Sequence, residues 1–421
     1  MCSWLFVGGV IVCAYVHVHS AASLPQIAVA PAGRDGKMKL LYLVTEDSYF
    51  YSHRLPMARA ARDAGLDVVV VANVVCHGEA IEREGFRVIP LSLERRSLNP
   101  FRALCHIMQI NKIYRRERPD IVHHIAMKPV LFGSIAAWMA GVPRVVNAFA
   151  GLGYVFTADD FLAGSLRVFL SPVFRILLGR RGSCLLLQNH DDLARLRRMK
   201  IIRNDNVAVI PGSGIDLDVW PEQPCPPDGD QFIYVYAGRM IGIKGLQTLK
   251  TAMAILERRA AHIHLWLCGG PDLANPGSWT EENLRAWDSA APNVTYKGRC
   301  PDMKKIWAQA YAAVQPSYGG EGVPKSLLEA AASARPIIAT NVPGCRDMVD
   351  EGRNGFLVPA HDPAALADAL EKLAGLSQTE RTTMGRASRD LIVRKHMSAS
   401  AVAAQTKELY LKLVADEADQ V

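Results

Sequence analysis

No two cysteines in this 421-residue chain stand in a C-x-x-C spacing. The nine present (Cys2, Cys13, Cys76, Cys105, Cys184, Cys225, Cys268, Cys300 and Cys345) are odd in number and scattered. That excludes a zinc ribbon and a patterned disulfide framework, and reads as reduced thiols in a cytosolic protein. No histidine–cysteine group has transition-metal spacing. "DLD" at Asp216–Asp218 only imitates a metal-binding D-x-D, because it follows the turn "PGSG" in a hinge-like stretch. No metal site and no bound cofactor are therefore expected. A P-loop, G-x-x-x-x-G-K-[ST], is missing as well. The N-terminal apolar run "WLFVGGVIVCAYVHV" covers 15 residues, short of the roughly 20 that span a bilayer. No Lys or Arg precedes it, so it makes a poor signal peptide. A linker-like "PQIAVAPAGRDGK" follows, and Met38 then opens a strand at once. Met38 is expected to be the true start, with residues 1–37 an upstream extension; the alternative is a weak membrane anchor.

The formal charge of +7 is unevenly spread. Met38 to Lys200 holds 23 Lys and Arg against 14 Asp and Glu, whereas Ile201 to the end holds 23 against 26. Either the first half meets an anionic partner or it carries surplus arginine on a solvated face. From Met38 onward, strands such as "KLLYLV", "LDVVVVAN", "FRVIPL", "DIVHHI" and "PRVVNAF" alternate with helical stretches. The cadence restarts after the Pro-rich break "WPEQPCPPDGD" with "QFIYVYAG", "IHLWLCGG", "NVTYKG", "YAAVQPS" and "PIIAT". Continuous Val/Ile/Leu runs separated by helices mark parallel sheets covered on both faces. The expected fold class is α/β: two Rossmann-like doubly wound domains, 38–210 and 211–395, facing across a cleft. A C-terminal helix within 396–421 is expected to pack back on the first domain. Ligands of such sheets bind beyond the strand C-termini.

Two motifs fall at such strand ends. In "YGGEGVPKSLLEA", Glu321 lies in a loop before a helix and Glu329 lies inside that helix, with Pro324 suited to its first position. Gly322 and Val323 offer backbone N–H groups at a helix N-terminus, a natural phosphate site. The flanking carboxylates make sense as acceptors from hydroxyls, a sugar on one side and a ribose on the other; the alternative is an acid that complements the helix dipole and one exposed helix glutamate. In "YAGRMIGIKGLQTL", Arg239 and Lys244 stand among Gly238, Gly242 and Gly245. Glycine allows close backbone approach, and the two cations suit a diphosphate leaving group; the alternative is a basic turn that caps a helix.

"AGRMIGIKG", "PSYGGEGVPKSLLEAAASARPIIAT", "NVPGCRDMV" and "NGFLVP" resemble retaining glycosyltransferases of family 4, which have the GT-B fold. The E-x7-E spacing of Glu321 and Glu329 is that family's signature. The resemblance runs from Met38 to the C-terminus. "TEDSYFYSHRLPMARAARDAG", "HHIAMKPVLFGSIAA", "AFAGLGYVF" and "LQNHDD" resemble bacterial members that extend undecaprenyl-diphosphate-linked saccharides from UDP-sugars. One departure is "SYGGEG", with a residue more before the Glu-Gly than such relatives usually have. The resemblance implies that Arg239 and Lys244 hold the donor diphosphate, beside Gly238. It implies that Glu321 contacts the transferred sugar, that Gly322 and Val323 present amides to phosphate, and that Glu329 binds the ribose. Gly298, Arg299 and Cys300 would lie along the nucleobase. The sugar would be an N-acetylhexosamine or a hexose, transferred without a metal.

His53, Arg54, His124 and Lys128 are the candidates on the acceptor side. For His53 and Arg54 a helix-capping role stands beside acceptor binding; of the neighbours His123 and His124, at most one should face the cleft. "FLAGSLRVFLSPVFRILLGRRG" has nine Phe, Leu, Ile or Val between Leu166 and Leu178, interleaved with Arg167 and Arg175. It suits either an anionic membrane surface or a core helix. The expected partners are a UDP-sugar, a lipid-diphosphate-linked acceptor and an anionic membrane, with no nucleic acid. The expected location is peripheral, at the cytoplasmic face of the plasma membrane. A nucleotide-sugar epimerase and a non-catalytic sugar-nucleotide-binding subunit are the alternatives.

Overall fold

A computed structural model describes residues 37–93, 99–157, 161–202, 206–273 and 275–418. Residues 1–36, on which the start-site and anchor readings rest, lie outside the described residues.

The first half is a seven-stranded parallel sheet. Its strands are β1 (Lys39–Glu46), β2 (Asp67–Asn73), β3 (Arg87–Pro90), β4 (Ile121–Ile125), β5 (Arg144–Ala148), β6 (Ser183–Leu187) and β7 (Val207–Val209). They lie in the order β3-β2-β1-β4-β5-β6-β7. The intervening helices are α1 (Asp47–His53), α2 (Leu55–Asp63), α3 (Gly78–Arg83), α4 (Pro100–Glu117), α5 (Met127–Ala140), α6 (Gly153–Thr157), α7 (Phe161–Leu178) and α8 (His190–Arg198). Leu40 to Val44 of β1 are all fully buried, because helices cover both faces of the sheet.

The second half repeats the plan with six parallel strands. These are β8 (Phe232–Ala237), β9 (Ile263–Cys268), β10 (Val294–Gly298), β11 (Ala312–Gln315), β12 (Ile337–Thr340) and β13 (Gly355–Val358), ordered β10-β9-β8-β11-β12-β13. Its helices are α9 (Leu246–Arg258), α10 (Glu281–Ala290), α11 (Met303–Gln309), α12 (Lys325–Ala332), α13 (Pro363–Ala374) and α14 (Gln378–Arg394). Two doubly wound α/β halves of the expected class result. The alternation of apolar runs and helices did not announce β6 (five residues), β7 (three) and β13 (four).

The last helix, α15 (Ala399–Ala418), follows α14 after a break where His396 has φ 52°. It packs on the first half. Val402 and Tyr410 join the core of β1 and β2, and Arg144 Nε donates to the Leu413 carbonyl at 2.9 Å. The Tyr410 hydroxyl meets the Tyr42 hydroxyl at 2.7 Å and His123 Nδ1 at 2.6 Å. No helix among the described residues is long and apolar enough to cross a membrane.

The loops beyond the strand C-termini of the two halves meet. Lys325 Nζ donates to the Ser52 carbonyl at 2.6 Å, Val323 N–H donates to Gln188 Oε1 at 2.8 Å, and Arg346 Nε lies 3.6 Å from Asp191 Oδ2. This seam holds the candidate site.

Candidate active site

β11 ends at Gln315, whose amide Nε2 donates to Ser317 Oγ at 2.7 Å. Ser317 Oγ in turn donates to Glu321 Oε1 at 2.9 Å, so the strand end aims the carboxylate. The same oxygen accepts from Lys244 Nζ. Lys244 closes a single 3-10 turn, Gly242–Lys244, which follows β8. The Tyr318 N–H donates to the Ile243 carbonyl at 2.8 Å and fixes that turn against the glutamate loop. The two charged side chains are only 14% and 13% exposed. Removing one member of such a pair costs about 3–5 kcal/mol, because its partner is left charged and unpaired. A ligand anion that takes over the ammonium makes up that loss and frees the carboxylate for hydroxyls.

The additional glycine of "SYGGEG" is accommodated by backbone that other residues adopt poorly, with φ 138° at Gly319 and 71° at Gly320. At Gly322 the requirement is space. A Cβ there would lie 2.0 Å from Gln188 Oε1 and 2.6 Å from the Ala150 carbonyl. The first half thus presses its Ala150–Gly151 turn and its Gln188 amide directly onto the glutamate loop. Pro324 proves to be the N-cap of α12 (φ −65°, ψ 125°) rather than its first helical residue. The Val323 N–H, expected to be bare for phosphate, is already taken by Gln188, because the seam is closed at this point.

Gln188 itself went unrecognised in the sequence. Its only signal is a polar residue directly after the apolar run of β6. It is buried, and no other described group serves the Val323 N–H. Gln188→Leu is therefore expected to cost about 1–3 kcal/mol in urea unfolding, the penalty of a buried unpaired donor. Gln188→Glu, which keeps an acceptor, should lose less. A leucine variant as stable as the wild type would contradict this role.

Arg239 follows β8 as expected but is 56% exposed and paired with Asp272 at 2.7 Å, not with Glu321. Gly238 N–H donates to the Cys268 carbonyl, and Gly269 N–H to the Gly298 carbonyl at 2.7 Å. These bonds align the C-terminal ends of β8, β9 and β10. Arg299 is exposed there, with its Nε 3.2 Å from where a side chain on Gly270 would begin. Cys300 Sγ contacts the Gly298 carbonyl at 3.6 Å. Glu329 lies inside α12. Burial raises its carboxyl pKa, while Lys325 and the Trp307 indole pull it back.

The four candidates of the first half separate. His124 is fully buried; its Nε2 meets the Tyr114 hydroxyl and its Nδ1 the Asn147 Oδ1, both at 2.9 Å. Burial pushes its pKa down to about 4. It belongs to the interior of the first half and not to the cleft. His123 is equally buried on the opposite face, since both faces of β4 are covered. Lys128 is half-buried in the first turn of α5. His53 and Arg54 sit at the seam, beside Ser52. Asp216 Oδ1 accepts from the N–H groups of Asp218 and Val219 at 3.0 and 3.2 Å, so the "DLD" carboxylate caps a turn. Among the described residues one acid–thiol–imidazole group, Asp47, Cys76 and His77, is compact enough for an ion. Asp47 is committed elsewhere: its two oxygens accept four backbone N–H groups, from Ser48, Val75, Cys76 and His77.

Two doubly wound sheets meet at a seam that carries a cation–carboxylate pair, with Glu321 in the loop before α12 and Glu329 within it. Two family profiles match the chain, "Glycosyl transferase 4-like" over residues 39–180 and "Glycosyl transferases group 1" over residues 231–375. The chain belongs to the group 1, family 4 glycosyltransferases with the GT-B fold. The Campylobacter jejuni N,N'-diacetylbacillosaminyl-diphospho-undecaprenol alpha-1,3-N-acetylgalactosaminyltransferase is 24% identical over 361 residues, 83% of this chain and 92% of that one. The Staphylococcus aureus capsular polysaccharide biosynthesis glycosyltransferase CapM is 24% identical over 372 residues, 86% and 93% of the two chains. Among solved structures, Anabaena HepE in complex with UDP and glucose superposes with a TM-score of 0.71. It is 16% identical, and the match covers 89% of this chain and 100% of that one.

Proposed function

We propose that the enzyme moves an N-acetylhexosamine or hexose from a UDP-sugar to a lipid-diphosphate-linked saccharide, with retention of configuration. The observation that carries this is the largely buried Lys244–Glu321 pair at the mouth of β8 and β11, with Glu321 in the loop that leads into α12, the helix that holds Glu329. Lys244 would take the donor diphosphate, with Arg239 swinging from Asp272 to join it. Glu321, released, would accept from the sugar, and Glu329 from the ribose. Gly238 and the Gly298–Cys300 segment would border the nucleoside. Gly322 would bring backbone close to the leaving phosphate, while Val323, tied to Gln188, would hold the loop. No protein nucleophile is needed: the leaving phosphate takes the acceptor proton on the face where the new bond forms. The protein positions reactants and stabilises developing charge. The relatives named for diphospho-undecaprenol and capsular products, and the UDP-bound neighbour, support this substrate class.

UDP release measured with and without a lipid-diphosphate sugar acceptor tests the reading. Release should depend on acceptor and survive EDTA within about twofold, because Lys244 and Arg239 supply the charge that a metal otherwise would. Acceptor-independent conversion of the sugar nucleotide would point to an epimerase instead.

We further propose peripheral attachment to an anionic membrane. α7 buries Phe174, Leu177 and Leu178 but exposes Val168, Phe169 and Ile176. α4 exposes Phe101, Leu104 and Met108 at positions i, i+3 and i+7. α4 packs on α5, which touches α7, so the two stripes share a side of the sheet. Arg102 and Arg181 flank them. The protein should float with anionic vesicles at low salt, and Phe169→Ser with Ile176→Ser should abolish flotation. An absence of wild-type binding at low salt would contradict this.

A further inference from the structure

Arg54 is only 3% exposed, yet no described residue accepts a hydrogen bond from its guanidinium, and Nε is buried without a partner. Its one close contact of note is the Tyr49 ring, with Cζ 5.9 Å from the centroid. An unpaired buried guanidinium is costly, so the site is built to receive an anion. The adjacent acid cannot serve. Asp47 Oδ2 is occupied by the N–H groups of Val75, Cys76 and His77 at 2.9, 2.9 and 2.6 Å.

Other groups able to donate converge on the same turn. α2, nine residues long, begins directly after Arg54, and no side chain caps it. Its N-terminus turns its positive end on Arg54, where α1 also ends and where Pro56 offers no N–H. Lys325 Nζ reaches the turn through the Ser52 carbonyl at 2.6 Å. His123, bound through Nδ1 to Tyr410, has its Nε2 buried without a partner. His53 is held neutral: burial, then the charges of Lys325 and Arg54, push its pKa down to about 3. The turn Ser52–Arg54 belongs to the first half and faces α12, whereas Lys244 belongs to the second half.

We propose that Arg54, with the N-terminus of α2, is a phosphate seat separate from the Lys244 cradle, and that it takes the diphosphate of the acceptor. The assignment to the acceptor rests on the glycosyl-transfer reading above; a donor diphosphate has the same chemistry, and the experiment separates the two sources.

The test is calorimetric titration of the full chain with inorganic pyrophosphate after saturation with UDP. The wild type should bind pyrophosphate on top of UDP. Arg54→Met should weaken pyrophosphate at least tenfold and leave the UDP Kd within twofold, and Lys244→Met should do the reverse. Equal pyrophosphate binding by wild type and Arg54→Met would overturn the proposal. So would a loss of UDP affinity in Arg54→Met as large as the loss for pyrophosphate, since that places Arg54 in the donor site. If Arg54→Met does not fold, Arg54→Lys replaces it. Lysine keeps the charge but not the forked donor geometry, so a severalfold loss is expected and unchanged binding overturns the seat. If UDP fails to bind the wild type, the donor reading falls, and the pyrophosphate comparison between wild type and variant still decides the seat.

Discussion

Replacing Glu321 with glutamine is expected to lower kcat by about a hundredfold to a thousandfold, the range seen when one group aimed at developing charge is removed. Glutamine keeps the volume and an oxygen for Ser317 Oγ and Lys244 Nζ, both of which now share Glu321 Oε1. What it removes is the negative charge beside the transferred sugar. Because the ammonium of Lys244 loses its counter-charge, UDP should bind as well as before or better, so the loss falls on turnover. Steady-state kinetics with a UDP-binding measurement check this. A kcat within tenfold of wild type, about 1.4 kcal/mol, would remove Glu321 from the chemistry.

Lys244→Met should act in the complementary way, weakening UDP binding and turnover together by at least tenfold each. Methionine fills the space of the side chain stem but cannot meet a diphosphate. It also strands Glu321 at 13% exposure with Ser317 as its remaining hydrogen-bond partner. Some loss of stability should accompany the loss of affinity, since an unpaired buried charge is the costly state. The double variant Glu321→Gln, Lys244→Met should then be more stable than the sum of the single effects allows, as expected for two groups in direct contact. Strict additivity in urea unfolding would show that the pair is not coupled.

The meeting of Lys244 with the Glu321 loop was legible because its spacing has a mechanical meaning. Strand, glycine turn, carboxylate, proline and helix follow in "PSYGGEGVPKSLLEA", and each residue type suits one step of that path. The Lys244–Glu321 meeting is long-range, yet both residues lie just past the C-terminal ends of adjacent strands, β8 and β11, where a doubly wound sheet gathers its loops. The first half's candidates were less legible. Alternation along β4 allowed at most one of His123 and His124 to face the cleft, but a sheet covered on both faces has two interiors, and each histidine is buried in one. Arg54 was indistinguishable from a helix-capping residue until its lack of any acceptor could be seen. Gln188 gave no spacing signal, because its role depends on contact with the other half. The α7 stretch admitted a core and a membrane reading; Phe174 and Leu178 pack inward, as a core helix requires, while Phe169 and Ile176 are exposed.

A crystal structure of the UDP complex is the decisive measurement. Diphosphate oxygens are expected on Lys244 Nζ, ribose hydroxyls on the Glu329 carboxylate, and the uracil beside Gly298–Cys300, with Glu321 released from Lys244. UDP bound away from these side chains, with the Lys244–Glu321 pair undisturbed, would contradict it.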